Sequence, residues 1–169
     1  DRIDWMITSR DRVGLVGANG TGKTTLLKML AGLEQPDMGE VTRPKTLQAG
    51  YLPQDGLSLH GRTVFAECMS VFENLKSMER EMEELAHSLG ELDPASEEYE
   101  FAADRYGRLD GQFRNRDGYA LEAKVGAVLA GLGFGKDDWY RATEEFSGGW
   151  QMRIALGKLL LEQPDLLLL

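Results

Sequence analysis

The sequence predicts an α/β fold built on a phosphate-binding loop, with antiparallel strands at its N-terminal side and a helical subdomain carrying a coiled-coil-like hairpin. Three observations predict it. Residues 12–33, RVGLVGANGTGKTTLLKMLAGL, join an apolar run to an amphipathic helical pattern through a glycine-rich connection. Two runs of apolar residues, from Cys68 to Leu89 and from Tyr99 to Phe113, repeat at spacings of 3 and 4 and predict paired helices. A continuous apolar stretch, residues 166–169, has the composition of a parallel strand buried on both faces.

The loop is the most specific of the three. Val13, Leu15 and Val16 stop at Gly17, and Ala18-Asn19-Gly20-Thr21-Gly22-Lys23-Thr24-Thr25 follows, giving G-x-x-x-x-G-K-[ST] between a strand and a helix. Gly17, Gly20 and Gly22 lack Cβ atoms, so the backbone can wrap closely with its N–H groups turned inward, an anion-binding nest. The helix beginning near Lys23 adds the positive end of its dipole at the same point. Lys23 can reach the β- and γ-phosphates, and the Thr24 hydroxyl is placed to ligate Mg²⁺. A bare glycine-rich turn with a stray lysine is the competing account, and the strand before and helix after weigh against it.

Composition sets bounds. At 169 residues, 42% apolar and 28% charged, the chain suits one soluble domain. No apolar run approaches the length that crosses a bilayer, and the first residues do not read as a signal peptide, so a cytoplasmic location is expected. The single Cys68 rules out an internal disulfide, and with two separated histidines it makes no metal constellation. A net charge of -9 argues against tight nonspecific nucleic-acid binding, which leaves a basic footprint.

Taken in order, residues 1–7 alternate (Ile3, Trp5, Ile7) and predict an antiparallel strand turning at 9–11 into the strand at Arg12. The helix after the loop stops in the breaker cluster 32–36. Residues 39–42 and 47–52 read as short strands separated by Pro44, and 51–55 as a loop, because Pro53 ends the ladder. Cys68, Val71, Leu75, Met78, Met82, Leu85 and Leu89 then form an unbroken heptad seam on the order of 30 Å long. Gly90 is expected to close that helix, with Asp93 as N-cap and Pro94 as first residue of the next. The second seam is Tyr99, Ala102, Tyr106, Leu109 and Phe113. Residues 64–71 read as lying on a core, whereas 79–100 hold nine carboxylates and one arginine and read as a solvated projection. Leu121, Val125, Val128, Leu129 and Leu132 mark a further helix capped by Gly133, followed by a loop over 131–138. Phe146-Ser147-Gly148-Gly149-Trp150-Gln151 opens another helix, which Pro164 stops. The expected organisation is a nucleotide-binding core over 1–60, a helical subdomain over 61–146 with its hairpin arm at about 64–116, and a closing helix and strand over 147–169.

A phosphate loop, a glutamine after a strand (Gln54), and Ser147-Gly148-Gly149 at a helix start before Pro164-Asp165-Leu166-Leu167-Leu168-Leu169 now stand in order. This resembles the ATP-binding-cassette (ABC) ATPases over essentially the whole chain, and therefore a P-loop NTPase fold of the ABC ATPase type. Within them it most resembles the first cassette of the F subfamily (ABC-F), whose members carry two cassettes, have no transmembrane domain, and in many cases act on the ribosome near the exit-site tRNA. The pointers are Trp150 where transporters usually carry Gln, Leu132-Gly133-Phe134 ahead of the signature, and the long insert between Gln54 and Ser147.

The resemblance implies roles. Gly17, Asn19, Gly20, Thr21, Gly22, Lys23, Thr24 and Thr25 would hold the ATP phosphates, with Lys23 on the β/γ pair. Thr24 and Gln54 would coordinate Mg²⁺, and Gln54 would sense the γ-phosphate. Ser147, Gly148 and Gly149 would form the signature, binding the γ-phosphate of ATP held by a second cassette, in the same parent chain or in a dimer partner. It further implies an ATPase coupled to translation, with ribosome or tRNA as partner and no membrane span. In the family the strand at Leu169 leads to the Walker B Asp and a general-base Glu. Both are expected beyond Leu169, so no catalytic residue is expected here, and the chain looks like a fragment that does not hydrolyse ATP appreciably alone. Trp5 reads as a buried strand residue, with adenine stacking as the alternative. The acidic residues 87–100 at the predicted arm tip oppose RNA contact, and Arg105, Arg108, Arg114 and Arg116 are interleaved with Asp104, Asp110 and Asp117 as a mixed solvated face. Two other function classes remain: the ATPase subunit of a membrane ABC transporter, and a nucleotide-gated, non-catalytic interaction module.

Overall fold

The computed structural model describes residues 3–54 and 58–169. They fall into two units, Asp1–Ser58 with Glu162–Leu169, and Leu59–Leu161.

The first unit pairs one helix with a short parallel ladder. Helix α1 spans Lys23–Ala31 and is bounded by two glycines in the left-handed region, Gly22 (φ 88°) and Gly32 (φ 78°). Strand β1 (Ala49–Tyr51) runs parallel to β2 (Leu166–Leu168), with Ala49 opposite Leu166, Gly50 opposite Leu167 and Tyr51 opposite Leu168. The ladder continues through Leu52 N–H to the Leu168 carbonyl (2.9 Å) and Leu166 N–H to the Gln48 carbonyl (3.2 Å). The Gln48 N–H, next in line, donates to Asp165 Oδ2 at 2.9 Å, so the otherwise open end of the ladder is satisfied by a side chain. The apolar run at the end of the chain thus forms the predicted parallel strand over Leu166–Leu168, but not one buried on both faces, since Leu167 and Leu169 are exposed, and β1 lies inside the predicted 47–52.

The antiparallel pair predicted for 1–7 and Arg12 onward is not present among the described residues, where 3–22 is loop and turn, and 39–42 is likewise loop. Val16 is 98% exposed and Met6 81%. Alternation specifies which side chains would share a face, but a strand exists only where a neighbour completes its hydrogen-bond ladder, and among the described residues only β1 and β2 supply one another with one. Trp5 is accordingly half exposed on a loop rather than buried in a strand. Asp1 and Arg2 of that predicted strand, and Asp55 of the predicted loop at 51–55, lie outside the described residues.

The second unit is helical: α2 (Val64–Met69), α3 (Glu73–Glu91), α4 (Glu97–Asn115), α5 (Leu121–Gly131) and α6 (Gly148–Glu162). Its core holds Val64 and Cys68 of α2, Phe113 of α4, Val125 and Leu129 of α5 and Ile154 of α6, all sealed from solvent. Gly126 makes room for this packing. A Cβ there would stand 2.7 Å from the Trp139 ring, which stacks on Phe65 with centroids 5.5 Å apart. Glu67 is buried among these groups but is not alone: Lys158 of α6 donates to its Oε1, and Arg62 lies 3.5 Å from Oε2.

The hairpin forms, with three corrections. The first seam is not one helix, since a 3₁₀ turn at Ser70–Phe72 separates α2 from α3. The Ser70 hydroxyl donates to the Glu67 carbonyl at 2.6 Å, a local bond of the kind that competes with helix continuation. Gly90 does not close α3, which runs on through Glu91 to Leu92 in extended geometry. The N-cap of α4 is Ser96 rather than Asp93. Asp93 instead holds the turn, accepting Ala95 N–H on Oδ1 (3.0 Å), while Ser96 Oγ accepts Tyr99 N–H (3.1 Å). Glu97, Glu98 and Glu100 then sit in the first turn, where the helix dipole favours negative charge. Leu75 and Met82 face Ala102, Leu109 and Phe113 in the seam, and Arg105 of α4 bonds Glu81 of α3 at 2.8 Å.

Candidate functional site

Residues 17–25 form a turn whose shape depends on two left-handed glycines. Gly20 (φ 82°) and Gly22 (φ 88°) adopt a conformation that side chains disfavour, although a Cβ at either would meet nothing within 4 Å. Backbone conformation, not crowding, therefore requires glycine there. At Gly17 the reason is space: a Cβ would lie 3.0 Å from Thr21 Oγ1, which itself donates to the Ala18 carbonyl at 2.9 Å. The Lys23 ammonium folds back over the turn and donates to the carbonyls of Gly17 and Ala18, both at 2.8 Å. The first intrahelical bond of α1 runs from Leu26 N–H to the Gly22 carbonyl (2.9 Å), so the N–H groups of Lys23, Thr24 and Thr25 have no partner within the helix. Asn19, Thr21, Thr24 and Thr25 are all exposed.

This arrangement can hold an anion. Two left-handed glycines lie two positions apart just before the N-terminus of α1, and the Lys23 ammonium is held on the carbonyls of the same turn, so backbone amides and a cation are available to an anion there. A phosphate chain would offer Lys23 stronger, charge-assisted partners than the two carbonyls it now caps. For Mg²⁺ the chain offers the Thr24 hydroxyl and the Gln54 amide, both exposed oxygen donors of the hard type the ion prefers. Among the described residues no group of three or more His, Cys, Asp or Glu is assembled. Gln54 stands at a bend in the first unit, three positions after the end of β1.

Ser147, Gly148 and Gly149 lie in the second unit at the start of α6, and all three are exposed. The Ser147 carbonyl accepts from both Trp150 N–H and Gln151 N–H at 2.9 Å, which makes Ser147 the N-cap and leaves the Gly148 and Gly149 amides without intrahelical partners. This end is braced by aromatics. Trp150 meets Phe134 edge-on at 5.0 Å, Phe134 meets Phe146 at 5.7 Å, and the Arg153 guanidinium covers the Trp150 ring at 4.4 Å. Arg153 is fixed in turn by donating to the Leu132 carbonyl at 3.2 Å. Arg141 covers Phe146 at 4.5 Å and is itself held by Asp138 and Glu145, whose carboxylates raise its already high pKa.

Gln151, in sequence no more than one member of the string that opens α6, is a buried side chain bonded to backbone on two segments. A signal existed: Gln151 is in phase with Ile154 and Ala155 on the buried face of α6, a polar residue in an apolar stripe.

With the geometry in place, comparison with known proteins is direct. The family profile described as "ABC transporter" matches residues 1–169. The chain is 36% identical over 168 residues to "ABC transporter F family member 2" of Arabidopsis thaliana, covering 99% of this chain and 25% of that protein. It is 43% identical over 169 residues to "Putative ATP-binding protein YdiF" of Bacillus subtilis, covering 100% and 26%. It is 38% identical over 169 residues to "Tylosin resistance ATP-binding protein TlrC" of Streptomyces fradiae, covering 99% and 30%. The chain thus spans between about a quarter and a third of the length of these curated relatives. No helix among the described residues is long and apolar enough to cross a membrane.

Proposed function

Because the chain belongs to the ABC transporter family, we propose that it is an ATP-binding cassette, the first of an F-subfamily ATPase that couples ATP binding and hydrolysis to work on the ribosome in the cytoplasm. The observation that carries the nucleotide role is the segment 17–25, where left-handed glycines, first-turn amides without intrahelical partners and the Lys23 ammonium come together. Gly17, Asn19, Gly20, Thr21, Gly22 and Thr25 shape or face that cradle, and Lys23 leaves its carbonyl partners for the β- and γ-phosphates. Thr24 and Gln54 offer the oxygens for Mg²⁺, with Gln54 also reading the γ-phosphate. When bound, the ion neutralises charge that develops on the phosphate oxygens during transfer. Ser147, Gly148 and Gly149 present a helix N-terminus to a nucleotide held by a second cassette. In this reading residues 1–60 form the nucleotide core, 61–146 the helical subdomain, and 147–169 the signature helix and following strand.

F-family relatives of Arabidopsis thaliana support the subfamily, and so does the α3–α4 hairpin, a long insert placed between Gln54 and Ser147. A transporter subunit is the second reading, favoured by the name of the family profile. Co-sedimentation of the intact protein with ribosomes supports the first, and with a membrane fraction the second.

Replacing Lys23 by Ala in the intact protein tests the common core of both. The lost charge-assisted bonds are worth about 1.5–3 kcal/mol, so ATP affinity is expected to fall roughly tenfold to a hundredfold. An unchanged affinity would refute the nucleotide site.

A further inference from the structure

We propose that Gln151 is a positioning residue: it sets the aim of the α6 end that carries Ser147, Gly148 and Gly149 by tying that end to Leu59. The proposal rests on the nucleotide role given above to that helix end. Gln151 is 9% exposed, yet both polar atoms of its amide are engaged, with backbone partners among the described residues. Nε2 donates to the Thr143 carbonyl (3.1 Å) and the Phe146 carbonyl (3.3 Å), the latter immediately before Ser147. Oε1 accepts the Leu59 N–H at 3.2 Å. Leu59 is five positions past Gln54.

Residues 59–64 and 141–146 are laced together: Thr63 pairs with Ala142 in an antiparallel bridge, Thr143 N–H donates to the Arg62 carbonyl (2.9 Å), and Val64 N–H to the Arg141 carbonyl (3.1 Å). Gly61 N–H reaches Glu144 Oε2 at 3.3 Å. Gln151 closes this lacing at the end nearest Ser147, and it alone among these groups belongs to α6. A displacement at Leu59 therefore reaches Phe146, and with it the N-cap, through one planar amide. The site needs two donors and an acceptor on a single side chain of this length. Methionine fills the volume with none of them, and an ionised glutamate keeps only the acceptor.

The test uses the intact protein containing this chain. In Gln151→Met, the amides of Leu59 and of residues 147–151 are expected to exchange with deuterium faster. ATP affinity at the phosphate loop, read with a fluorescent ATP analogue, is expected to stay unchanged, while kcat falls about tenfold to a hundredfold, as expected for a misaimed binding group. Gln151→Glu keeps the Leu59 bond and regains a donor when protonated, so its kcat relative to the unsubstituted protein is expected to rise as pH falls. Unchanged kcat and exchange in Gln151→Met overturn the proposal, as does a loss of ATP affinity in step with kcat, the mark of general unfolding. If Gln151→Met does not fold, Gln151→Glu decides, and a pH-independent ratio overturns it. Retained ATP affinity in Lys23→Ala would instead refute the nucleotide reading, so the two failures are distinguishable.

Discussion

Lys23 and Cys68 are opposite cases of one rule, that a reactive group is defined by its surroundings. Lys23 is half-buried and holds its ammonium on the carbonyls of Gly17 and Ala18. Cys68 is sealed in the core, and burial pushes its thiol pKa up to about 12, with Glu67 adding to the rise and Lys158 opposing it. The thiolate is the nucleophile, so Cys68 is expected to resist iodoacetamide at pH 8 in the folded protein and to react once denaturant is added. The sign of the pH effect follows from the raised pKa. Protonation is favoured more in the folded state, so this contribution to stability is complete below the ordinary thiol pKa and is lost as pH rises from about 9 towards about 12. Alkylation followed by mass spectrometry, and denaturation midpoints across that range, check both halves.

At the scale of elements, the hairpin separates what periodicity encodes from what it does not. Its seam residues were legible because apolar spacing of 3 and 4 places them on one face, and Leu75, Met82, Ala102, Leu109 and Phe113 are indeed buried. Its ends were not, because Asp93 and Ser96 are both good N-cap residues, and which one caps depends on the path of a short turn. Ser96 Oγ bonds the Tyr99 amide, whereas Asp93 bonds within the turn. Ser96→Ala is accordingly expected to destabilise the helical unit by about 1 kcal/mol, and Asp93→Ala by less, measured by urea unfolding. The break between α2 and α3 escaped for a similar reason: Cys68 and Val71 keep the spacing of the seam straight through the Ser70–Phe72 turn.

At the scale of the whole molecule, the two units differ in how much they bury. The helical unit surrounds Val64, Phe113, Val125, Leu129 and Ile154, whereas α1 of the first unit contains no buried residue. Backbone amides of α1 and β1 are therefore expected to exchange faster than those of α5 and the middle of α6. Added ATP is expected to slow exchange across residues 17–25, and hydrogen-exchange mass spectrometry reads both. The amino-acid sequence by itself determined the glycine turn at 17–22, the helix after it, the helix start at Ser147 and the helical seams, because each rests on the geometry of neighbours within a few residues. Tertiary structure decided which apolar runs became strands, since 166–168 found a partner in 49–51 while 3–16 formed no ladder. It also decided that Gln151 turns inward to join segments from distant parts of the chain. Ladders and buried amides need partners far along the chain, and no local pattern names them.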